Sequence, residues 1–136
     1  MYETQLLKIK IRPGKTAAVV DFLRSLRARK DLSLEALRRE GMVVESMFLE
    51  RREDGDYLYY YVKARDLAQA NQVNMAATDA LTMEIRSFVS ETWDHIVSPE
   101  PLLDLDLIQE ENASRPRPRR KAKLPSPAPA PHALAG

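Results

Sequence analysis

The chain contains no cysteine, which excludes disulfides, thiolate metal ligands and cysteine nucleophiles together. Histidine is almost as scarce, and His95 is the only one before the last few residues. Four glycines are present, Gly14, Gly41, Gly55 and Gly136, and turns or the C-terminus use all of them. No glycine-rich phosphate loop, nucleophile elbow or His-Glu-x-x-His is therefore available. No apolar run approaches the roughly 20 residues of a membrane span. The N-terminus also lacks a signal peptide's apolar core. No membrane association is expected, and the absence of cysteine agrees with a cytoplasmic location.

The 136 residues suffice for one domain and a tail, and their net charge of +1 is unevenly spread. Residues 109–136 hold six Lys or Arg against two Glu, a charge of +4, which leaves −3 for residues 1–108. Composition shifts at the same place, to Arg115-Pro116-Arg117-Pro118 and then to Pro alternating with Ser126, Ala128 and Ala130 from Pro125 to Pro131. Such a segment buries too little apolar area to offset its ordering entropy. Residues 1–108 are read as the domain and 109–136 as a disordered, basic, Pro/Ala-rich tail. The tail lacks the aromatics that stack on bases, so only weak contact with an acidic partner or nucleic acid is expected of it.

Within 1–108 the apolar periods change in the order βαββαβ. Thr4–Arg12 alternates as a strand, and Pro13-Gly14 stops it. Lys15–Glu40 keeps one stripe at 3.6 residues per turn through Val19, Phe22, Leu23, Leu26, Ser33, Leu34 and Leu37, and reads as one long or slightly bent helix ending at Gly41. Asp54-Gly55 suits a type I′ hairpin turn, which sets Leu49 opposite Tyr60, Met47 opposite Val62 and Phe48 opposite Tyr61. Asp66 and Asp79 mark two helix starts. The second of these helices is read as far as Ile96, and Pro99 and Pro101 end it. Leu102–Ile108 alternates again as the last strand.

The fold expected is α+β: a ferredoxin-like antiparallel sheet with both helical layers on one face. The aliphatic positions, with Tyr60 among them, turn toward the helices. Lys8, Lys10, Phe48, Glu50, Tyr59, Tyr61, Asp104 and Asp106 take the other face. There the lysines are expected to pair with the aspartates. An aromatic cluster on an open sheet face marks an interface, so Phe48, Tyr59 and Tyr61 are expected to meet a second copy in a homodimer.

Ile9-Lys10-Ile11-Arg12-Pro13-Gly14-Lys15, the long helix, and Glu45–Arg51 running through Asp54-Gly55 to Leu58 resemble the dimeric α+β barrel superfamily. Within it the similarity is to a small bacterial branch of antibiotic-biosynthesis-monooxygenase-like proteins, over roughly residues 3–108. The resemblance implies a homodimer whose two sheets form a barrel, with a pocket between each sheet and its helices. It also implies small-molecule chemistry, since members include cofactor-independent monooxygenases, haem-degrading enzymes, lactone isomerases and sugar mutarotases. None of their catalytic motifs matches residue by residue, so no active-site role transfers.

Candidate groups follow from residue chemistry. His95, counted on the last helix, is the one group before the tail that titrates near neutrality; helix-edge exposure also accounts for it. Tyr59 and Tyr61 can donate to a phenolic or quinone oxygen, or pack across a dimer. Glu45 turns toward the helices, where burial would make it a base, although a strand end is usually exposed. Trp93 can stack on a planar ligand or simply pack. Lys30 falls within the helical stripe, with its stem snorkelling. Asp104 and Asp106 lack a third oxygen ligand, so no metal is expected, and no cofactor either. The leading expectation is that a small organic molecule is bound or transformed between sheet and helices, in a cofactor-free monooxygenase- or isomerase-like manner. The alternative is a non-catalytic dimeric scaffold that docks to a protein or nucleic acid through its tail.

Overall fold

The computed structural model of the chain describes residues 2–108; the expectations for 109–136 lie outside the described residues. The elements are β1 (Glu3–Ile11), α1 (Thr16–Ala28), α2 (Lys30–Glu40), β2 (Met42–Arg52), β3 (Gly55–Ala64), α3 (Leu67–Ala76), α4 (Ala80–Thr92) and β4 (Trp93–Val97). The strands form one antiparallel sheet in the order β2-β3-β1-β4, the ferredoxin-like arrangement. The helices cover one face. Leu7, Ile9, Ile11, Leu58, Tyr60 and Val62 are buried beneath them with Val19, Ile85 and Phe88. Phe22 of α1 stacks on Phe88 of α4 with centroids 4.2 Å apart.

Four local expectations are corrected. The long helix is two helices, broken at Arg29, whose backbone turns to φ −101° and ψ 44°. No proline or glycine causes the break; tertiary bonds hold it. The Arg29 guanidinium donates to both oxygens of Glu84 on α4 at 2.8 and 3.0 Å. The Ser33 hydroxyl donates to the carbonyls of Leu26 and Arg29. Beyond the break the buried side of the helix moves to Ala36 and Glu40, leaving Leu34 and Lys30 exposed.

The hairpin turns one residue earlier than expected. Glu53 and Asp54 form the loop, and Arg52 pairs with Gly55. Gly55 takes φ +133°, and no non-glycine residue among the described residues has positive φ, so a type I′ turn is ruled out. The pairing becomes Met47–Tyr60, Phe48–Tyr59 and Leu49–Leu58. This slip of two positions preserves the side on which every residue lies.

The last strand is Trp93–Val97, not Leu102–Ile108. It leaves α4 directly and pairs with β1, His95 opposite Lys10 and Ile96 opposite Ile9. His95 and Trp93 therefore lie on a strand. Residues 98–106 form neither helix nor strand. Asp104 and Asp106 bind Lys63, at 2.6 and 2.5 Å, while Lys8 and Lys10 lie over the ring of Tyr57.

Candidate functional site

Side chains alternate along a strand, so register decides which groups meet. On the helix side, Gln5, Val62 and Glu45 form one row across the sheet, and Leu7, Tyr60 and Met47 form the next. A cleft of about 410 Å³ opens between α3 and the Gln5, Leu7, Tyr60 and Val62 positions of these rows; Glu45 and Met47 lie outside its lining. Its walls include Leu7, Val62, Ile96 and Ala70; its polar groups are Gln5, Glu40, Tyr60 and Asn71. The volume is within the usual size of a small-molecule site.

Two residues of the lining, Tyr60 and Glu40, and one bonded behind it, Glu45, give this cleft its chemistry. Tyr60, only 3 % exposed, lines it, and its hydroxyl donates to Glu45 Oε2 at 3.3 Å. Glu45 is half-buried. Dehydration pushes its carboxyl up to about 7, against a smaller opposing effect of the Tyr60 hydrogen bond. Glu40, the last residue of α2, is buried and also lines the cleft. Burial raises the Tyr60 phenol well above its ordinary range, and the negative charges of Glu45 and Glu40 add to this. Near neutral pH the phenol is thus a fixed proton donor, while Glu45 takes up and releases a proton readily. Trp93 is buried with its ring centroid 6.3 Å from that of Tyr60, tilted by 52°. Its indole N–H has no hydrogen-bond partner among the described residues.

The candidates proposed from sequence divide between the two faces. Glu45 and Trp93 lie on the helix side, with Tyr60. His95, Tyr59 and Tyr61 lie on the other. His95 is exposed, in an open depression with Lys8, Lys10, Tyr57 and Asp94. Tyr59 donates to Glu50 at 3.0 Å, and beside it Phe48 is 60 % exposed. Sequence reasoning missed Tyr60 and Glu40 as functional groups. The sequence sets Tyr60 on the helix-facing side with the aliphatic residues; a tyrosine and a glutamate sharing that side is the available signal. Among the described residues, no group of three or more His, Cys, Asp or Glu stands where it could hold a metal ion. None of their helices is long and apolar enough to cross a membrane.

The model of a family of unknown function, DUF6176, matches residues 2–110. No curated protein matches the chain. Among solved structures it is similar to protein SO0527 from Shewanella oneidensis, with 17 % identity and a TM-score of 0.46 over 73 % of this chain and 93 % of that one. It is also similar to Rv0793 from Mycobacterium tuberculosis, with 16 % identity and a TM-score of 0.42 over 78 % of this chain and 100 % of that one.

Proposed function

The chain belongs to DUF6176, a family of unknown function, and we propose that it binds a small, weakly acidic aromatic molecule in the sheet–α3 cleft and moves a proton on it. One observation carries this reading: a buried phenol, Tyr60, that lines a cleft of ligand size and is bonded to a dehydrated carboxyl, Glu45, behind it. The Tyr60 hydroxyl oxygen accepts the proton of the bound molecule as its own proton passes to the Glu45 carboxylate behind it, so that Tyr60 ends as a phenol and Glu45 as the acid. Deprotonation of an O–H or C–H acid is the first step common to cofactor-free oxygenation and isomerisation. The reading thus agrees with the resemblance to monooxygenase-like members of the dimeric α+β barrel superfamily. With no cysteine to oxidise, we place the protein in the cytoplasm.

Trp93 is the only tryptophan and sits beside Tyr60, so its fluorescence reports on the cleft. Titration with 1-naphthol is expected to quench it saturably. Tyr60→Phe should weaken that binding about tenfold, the cost of one lost hydrogen bond to a polar group. Ala70→Phe, which fills the cleft, should abolish it. Fluorescence that changes only in proportion to added naphthol, without saturation, would overturn the reading.

A second observation favours self-association. Phe48 stands largely exposed beside Tyr59 on the open sheet face, and covering it with a second copy removes that apolar surface from water. Phe48, Tyr59 and Tyr61 are the residues we assign to this homodimer contact. The competing scaffold role, docking through the basic tail, depends on residues outside those described.

A further inference from the structure

The charge of the cleft narrows the choice of ligand further than its size does. Among the described residues, Glu40 is the only charged side chain in the lining, and it is 4 % exposed. The other polar groups there, Gln5, Asn71 and the Tyr60 phenol, carry no charge. A carboxylate with little water around it keeps a strong field, because little screens it. That field extends to the reacting end of the cleft. Burial first, then the negative charges of Glu45 and Glu40, raise the Tyr60 phenol.

The backbone adds to the same sign. Glu40 is the last residue of α2, where the helix dipole contributes partial negative charge. Leu67 and Ala68 bring the first turn of α3 into the lining, and open N–H groups at a helix start would favour an anion. Carboxylates already engage them: the Leu67 N–H donates to Glu3 at 2.9 Å, and the Gln69 N–H to Asp66 at 3.0 Å. Arg39, beside Glu40 in sequence, lies outside the lining, and its charge acts on Asp79 at the start of α4. The formal charges in the lining and bonded to it, on Glu40, Glu45 and Glu3, are all negative.

Given the proton-transfer reading of this cleft, on which the assignment rests, we propose that its ligand is an aromatic ammonium compound. The apolar ring fills the space between Leu7, Val62 and Ala70, and the ammonium group pairs with the Glu40 carboxylate. Such a charge-assisted bond is roughly twice as strong as a neutral one. Glu40 is then the specificity-determining residue. It holds cations, admits neutral molecules, and rejects carboxylates and phosphates of the same shape by like-charge repulsion.

Isothermal titration calorimetry near neutral pH, on the full 136-residue chain, compares three probes built on one ring: 1-naphthylmethylammonium, 1-naphthol and 1-naphthoate. The ammonium should bind roughly ten- to a hundredfold more tightly than the naphthol, the range of a hydrogen bond to a charged group. Naphthoate should bind at least about tenfold more weakly than the naphthol. Glu40→Gln should lower the preference for the ammonium at least about tenfold, and Glu40→Asp, which keeps the charge, should retain the order of the probes. The wild-type order needs no variant, so it decides the matter even where a substitution prevents folding. Equal affinity for all three probes, or tightest binding of naphthoate, would overturn the assignment and leave the cleft standing. A preference for the ammonium that survives Glu40→Gln would overturn it too. Absence of saturable binding by every probe would overturn the proton-transfer reading and the assignment with it.

Discussion

Replacing Glu45 with glutamine should stabilise the protein at alkaline pH and leave it unchanged in mild acid. In the fold the carboxyl is pushed from 4.5 to about 7 by dehydration; unfolded, it returns to its ordinary value. Between those two pH values the folded chain keeps a proton that the unfolded chain has released. Stability therefore falls as pH rises through that window and is flat above it. At about 1.4 kcal/mol per tenfold change in proton affinity, the full penalty is about 3 kcal/mol. Residual solvent around a half-buried side chain reduces it to about 2 kcal/mol. Glutamine keeps the shape and still accepts from the Tyr60 hydroxyl, but carries no charge at any pH. Urea denaturation of both proteins near pH 4 and pH 8.5 isolates the effect, because contributions from all other titrating groups cancel in the difference. Equal stability near pH 4, and a glutamine variant more stable by about 2 kcal/mol near pH 8.5, is the expected result; in a thermal melt it amounts to roughly 10 °C. Parallel pH profiles would refute the reasoning. They would mean that Glu45 is hydrated in solution, and the site would lose its base.

Other substitutions probe the frame that holds the site. Phe88→Ala removes a buried ring stacked on Phe22 and should cost about 3–5 kcal/mol in urea denaturation; a loss under about 1 kcal/mol would mean that α1 and α4 repack freely. Asp79→Ala deletes the carboxylate that accepts from the Thr82 backbone N–H at 3.2 Å and should lower stability by about 1 kcal/mol, with Asp79→Asn recovering most of it. Gly55→Ala forces a side chain onto φ +133°, with its Cβ 3.1 Å from Lys10 Cε. Lysine can swing aside but the backbone cannot, so a loss of about 1–3 kcal/mol should remain even when Lys10 is also cut back to alanine.

The order of elements was legible because each has its own apolar period, and the glycines and prolines fall between periods. Boundaries were legible only where their cause is local. Asp66 and Asp79 cap helices as read, each accepting from a backbone N–H three residues on. The break at Arg29 has its cause 55 residues away, at Glu84, and no local pattern carries that. The fourth strand was hidden because Ile96 stays in helical phase with Phe88 and Thr92, so the helix seemed to continue. The aromatic and β-branched content of Trp93-Asp94-His95-Ile96-Val97 was the better signal. Leu102–Ile108 alternates more regularly, but alternation shows only that a segment has two faces. Here one face carries the aspartates that bind Lys63, and the leucines stay in water.

The two faces of the hairpin explain why half of the site was visible. A turn misplaced by one residue shifts every pair by two, and a shift of two keeps each side chain on its own side. Glu45 therefore faces the helices in either register, and the shift changes only which residue it meets across the sheet. The remaining question was whether that side is filled, and polarity patterns do not record volume. The answer lies in α3, which offers the sheet Ala70 and the Asn71 amide where a larger helix residue would close the space. Small side chains over Tyr60 and Glu40 leave a cleft, with Glu45 bonded to the tyrosine behind it. Tyr59 and Tyr61 are legible in the sequence because strand alternation sets both aromatics on the open face. Tyr60, between them in sequence and opposite them in space, is the one whose hydroxyl is withdrawn from water and paired with a carboxyl, which gives it altered proton affinity and a chemical role.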